Sequence, residues 1–97
     1  MRIKEDVIFN TIADNLQIPV DELLQLSLQR FLEHQLRFIN TQIFEICGRY
    51  GIANVEEMDS RYREGTLDEE NSWHDLQRLD HLEYKRDELL KLLEALS

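Results

Sequence analysis

Between Pro19 and Gly51 the chain reads "VDELLQLSLQRFLEHQLRFINTQIFEICGRY", interrupted only by Gly48. Pro19 suits a helix start and Gly51 a helix stop. A helix of about 30 residues here is about 45 Å long. A compact domain of 97 residues is only roughly 33 Å across, so this helix constrains every other element. Its second half carries a heptad-like seam, Leu32, Leu36, Ile39, Ile43, Ile46 and Tyr50, with steps alternating four and three. Leu24, Leu28, Phe31 and Phe38 form a second apolar stripe beside it. The alternative is a break near Asn40-Thr41, with both halves packed inside the chain.

The other elements follow from periodicity and punctuation. Ile8, Ile12 and Leu16 recur every four residues and predict a first helix from about Glu5 to Leu16. Asn54 followed by Glu57 resembles a capping box and opens a short third helix. Val55, Met58 and Tyr62 mark its buried side, and Gly65 its end. "GTLDEENSW" reads as a polar loop. A fourth helix, capped by Asn71 or Ser72, runs to the C-terminus on a seam of Leu79, Leu82, Leu89, Leu93 and Leu96, with Arg86 the polar exception. Only residues 1–6 have strand character, and there is no internal repeat.

The fold expected is therefore all-α: a long central helix, an antiparallel C-terminal helix and a short N-terminal helix, with room for a short strand before it. It is one domain, 1–97, with an N-terminal unit 1–36 suited to DNA binding or dimerisation and an acidic helical hairpin 37–97. The fourth helix covers about three quarters of one side of the second. Apolar surface is left over, and such surface marks an interface. A second copy is the expected partner, since two-fold dimers are the commonest assembly. Leu28, Leu32, Leu36, Ile39 and Ile43 are the expected dimer interface.

Composition excludes several classes. A single cysteine, Cys47, cannot form an internal disulfide and fits a reducing compartment. "MRIKEDVIFN" is charged where a signal peptide is apolar, and no run reaches the roughly 18 apolar residues of a membrane span. A soluble cytoplasmic protein is expected. His74 and His81 are seven apart, about 10 Å along a helix. With His34 and Cys47 they show no zinc-like spacing, so no metal or cofactor is expected. Cys47 lies on the apolar stripe, more in keeping with a buried thiol than a nucleophile. Ser27 sits in an apolar run, and Asp68-Glu69-Glu70 lack an apolar pocket to raise a pKa. There is no glycine-rich phosphate loop. The chain is not expected to be an enzyme.

Net charge is −9, from 11 Lys+Arg against 20 Asp+Glu. Residues 56–97 hold 6 basic and 13 acidic side chains, so −7 of the total lies there. Such a half repels phosphate backbones and attracts a basic protein surface. Trp73 stands next to the acidic loop. The reading favoured for it is a core plug; exposed, it would be an anchor for a basic partner, with Glu69 and Glu70 beside it.

Two resemblances extend this reading. Residues 1 to about 35 resemble a ribbon-helix-helix unit, which dimerises through a short strand. "MRIK" would be that strand, with Arg2 and Lys4 in the groove-facing role; Gln17 stands where a glycine is usual. From about Phe31 to Leu96 the chain resembles small acidic prokaryotic antitoxins. The shared features are a Tyr-Gly turn, a short acidic helix ending before Gly, a Trp and a charged terminal helix. This second resemblance implies a non-catalytic chain that binds and neutralises a partner protein, and the acidic half makes a basic partner, a toxin blocked by occlusion, the expected one. The alternatives are a DNA-binding regulator using Arg2 and Lys4, and a purely structural oligomeric scaffold.

Overall fold

The computed structural model describes residues 5–67 and 69–97. It contains four α-helices and no strand among the described residues: α1 (Glu5–Leu16), α2 (Val20–Tyr50), α3 (Val55–Arg63) and α4 (Glu69–Leu96). The strand anticipated at "MRIK" lies outside the described residues. α2 is continuous through Asn40-Thr41, so the alternative of a broken helix is wrong. Nothing at that point competes with the helical ladder: the Thr41 hydroxyl simply donates back to the Arg37 carbonyl at 2.9 Å.

Three helices stop in the same way. Ile18 N–H bonds Ala13 O and Gln17 N–H bonds Asp14 O; Ile52 N–H bonds Cys47 O; Thr66 N–H bonds Arg61 O and Gly65 N–H bonds Tyr62 O. Each is a Schellman-type stop around a left-handed residue. Gly51 (φ 65°) and Gly65 (φ 73°) supply it without cost, whereas Gln17 (φ 57°) adopts it with a Cβ. At the start of α3, Asn54 Oδ1 accepts from Glu57 N–H at 2.9 Å. Glu57 in return accepts from Ala53 N–H, one residue earlier than in the standard capping box. Glu83 of α4 takes the Val55 N–H at 2.7 Å, tying α3 to α4.

α2 and α4 run antiparallel along most of their lengths. Gln25 donates to the Leu96 carbonyl at one end; Arg78 donates to Gln42, and Arg49 and Tyr50 to Asp75, towards the other. The core lies at that second end, where α3 closes over the pair: Ile46, Ile52, Met58, Leu76, Leu79 and Leu82. α4 begins at Glu69, so Asn71 and Ser72 lie inside it and neither is its cap. Ser72 is wholly buried, the small residue that lets α4 approach the core.

The opposite end is open. From residue 7 to residue 45 only Ala13 is buried, and none is after Leu82. α1 packs on α2. The molecule measures 60 × 31 × 17 Å with a radius of gyration of 19.6 Å, against about 12.5 Å for a compact chain of this length.

Candidate functional site

Two surfaces stand out once the core is accounted for. The first is an open cleft of about 340 Å³ between α3 and α4, lined by Val55, Glu56, Asp59, Trp73, Leu76, Gln77 and Asp80. Trp73 forms one side and is 46% exposed, so it is not the core plug favoured from sequence. Adjacent helical residues point about 100° apart. Ser72 takes the inward direction, which turns Trp73 outward onto Tyr62, ring centroids 5.6 Å apart and planes inclined at 42°. Acids form the rim: Glu56 and Asp80 are exposed, and Asp59 is paired with Arg63 at 3.2 Å. An aromatic face framed by carboxylates suits an arginine or lysine side chain, its stem on the ring and its charge at the rim. Sequence reasoning found Trp73 but chose Glu69 and Glu70 as its acids; their side chains lie outside the described residues, as do Arg2 and Lys4. Glu56, Asp59 and Asp80 were missed because two lie on α3 and only the packing of α3 against α4 brings them to Trp73.

The second surface is the open end. Val7, Ile8, Ile12 and Leu16 of α1 are all exposed, as are Leu24, Leu28, Phe31 and Phe38 of α2 and Leu90 and Leu92 of α4. The residues expected at a dimer interface divide. Ile39 and Ile43 pack against the chain's own core, Leu32 and Leu36 are half-buried, and only Leu28 stands out to solvent. α4 runs 28 residues and so covers the first seam of α2, leaving the second stripe bare.

At the core end, where α2 stops, lies a polar lock. Asp75 accepts from Arg49 at 2.7 Å and from the Tyr50 hydroxyl at 2.5 Å, and Arg61 donates to the Tyr50 carbonyl at 3.0 Å. Burial, then the bond to Asp75, push the Tyr50 hydroxyl above its ordinary pKa. Burial, then the charges of Glu83 and Glu57, likewise raise the Cys47 thiol, which stays protonated near neutrality and is a poor nucleophile. His34, His74 and His81 are each exposed, and among the described residues no three His, Cys, Asp or Glu gather to hold a metal ion. Among them too, no helix is long and apolar enough to cross a membrane.

No curated protein and no solved structure matches this chain. One family model does, over residues 1–97. The chain belongs to the uncharacterized protein MJ0235 family.

Proposed function

We propose that the chain is a non-catalytic interaction protein of the antitoxin kind. It self-associates through its open, apolar end and binds a basic partner protein with its acidic end, acting by occlusion. The observation that carries the partner half of this reading is Trp73, half-exposed in a cleft whose rim holds Glu56, Asp59 and Asp80. Self-association is supported by the apolar stripes left bare on three helices.

Trp73 is the only tryptophan of the chain, so its indole N–H gives one resolved signal in a ¹H–¹⁵N spectrum. Titration with an acetylated tri-arginine peptide should move that signal saturably, and Glu56→Gln with Asp80→Asn should weaken the binding at least fivefold. A tri-arginine peptide that leaves the indole signal unmoved, or moves it equally in the double variant, would contradict partner binding at this cleft.

A further inference from the structure

On α2 the exposed residues Leu24, Phe31 and Phe38 recur every seven positions, with Leu28 between the first two. Gln35 holds the next place in that 4-3 pattern. We infer that two copies of the chain pair antiparallel along this stripe, about a two-fold axis at Phe31. The arrangement rests on the self-association proposed above and specifies its surface and direction.

Area argues for a second copy. The chain exposes 7647 Å², where a compact protein of its mass exposes about 5,800 Å². The surplus, about 1,800 Å², exceeds the roughly 800 Å² that each partner of a standard interface buries.

Shape and charge argue for the antiparallel direction. With Phe31 on the axis, Phe38 of one copy stands opposite Leu24 of the other. Beside Leu24 lies a shallow, open recess of about 370 Å³ bounded by Asp21, Gln25, Leu28, Ala95 and Leu96; in this arrangement the partner's Phe38 ring lies over its apolar side. Two-fold symmetry makes this contact twice. Residues 56–84 carry ten acidic and three basic side chains, whereas Leu23 to Phe44 carries Arg30, Arg37 and Glu33 alone. Antiparallel pairing about Phe31 keeps the two acidic stretches roughly 20–55 Å apart, beyond the screening length of about 8 Å. Parallel pairing would set them side by side.

The test uses the full chain with Cys47→Ala, carrying either Leu24→Cys or Phe38→Cys, one of the two extended by a tag. A short bismaleimide should link the two variants to each other when mixed, and neither efficiently to itself. Self-linking of both variants would mean parallel pairing and would overturn the arrangement. In sedimentation equilibrium Phe31→Asp should halve the mass of the assembly, while Phe44→Asp, on another face of α2, should leave it unchanged. A helical Phe31→Asp variant that keeps the full mass overturns the arrangement but not self-association. A monomeric unmodified chain at 100 μM overturns both, and leaves the stripe to a different protein.

Discussion

At the scale of single residues, Gln17 carries the clearest conflict between sequence and backbone. Its φ of 57° costs an L-residue with a Cβ roughly 1–2 kcal/mol. Gln17→Gly should therefore stabilise the protein by about 1 kcal/mol, less what glycine adds to unfolded-chain entropy; urea denaturation would read it as a higher midpoint, and an unchanged or lower one would contradict it. The sequence showed an unusual residue at this turn but not its strain, which only the dihedral reveals. Tyr50 makes a pH prediction. Its folded pKa is raised, so its contribution to stability is fully present below the unfolded value of about 10. That contribution is lost as pH rises through the folded value, when a phenolate would face Asp75. Cys47, also raised, begins to lose its contribution somewhat lower. The melting temperature should fall between pH 8 and pH 11, and fall less steeply in Tyr50→Phe; equal slopes would contradict the role given to the Tyr50 hydroxyl.

At the scale of elements, the stops of α2 and α3 and the start of α3 were legible because they rest on local chemistry, whereas α4 begins at Glu69, ahead of the Asn71 or Ser72 expected as its cap. Gly51, Gly65 and Asn54 do what their residue types imply. The direction of Trp73 was not legible, since one residue of helical phase separates a core position from a surface one, and the competing position is taken by Ser72. The two sites therefore separate energetically. Met58 is fully buried, and Met58→Ala should cost about 2–5 kcal/mol. Trp73→Ala removes a ring that is 46% exposed and one tilted aromatic contact worth about 1 kcal/mol beyond the area it buries, and should cost less than Met58→Ala. A loss at Trp73 as large as that at Met58, measured by urea denaturation, would return Trp73 to the core. The acids beside Trp73 were illegible for a related reason: α3 and α4 each look merely charged, and their packing alone makes a cleft of them.

At the scale of the whole molecule, the length of α2 against the diameter of a compact domain already pointed to leftover apolar surface. Which stripe was left over depended on α4, whose full length of 28 residues was needed to see that Ile39 and Ile43 are used internally. The result is a chain with a core at one end and bare helical faces at the other. Its elongation, 60 Å against 31 and 17 Å, supports the self-association proposed above. Sedimentation equilibrium of the unmodified chain at micromolar concentration tests this most directly. The expected result is a mass at least twice the 11.6 kDa of the monomer, falling only on dilution; a single species of monomer mass across that range would contradict it.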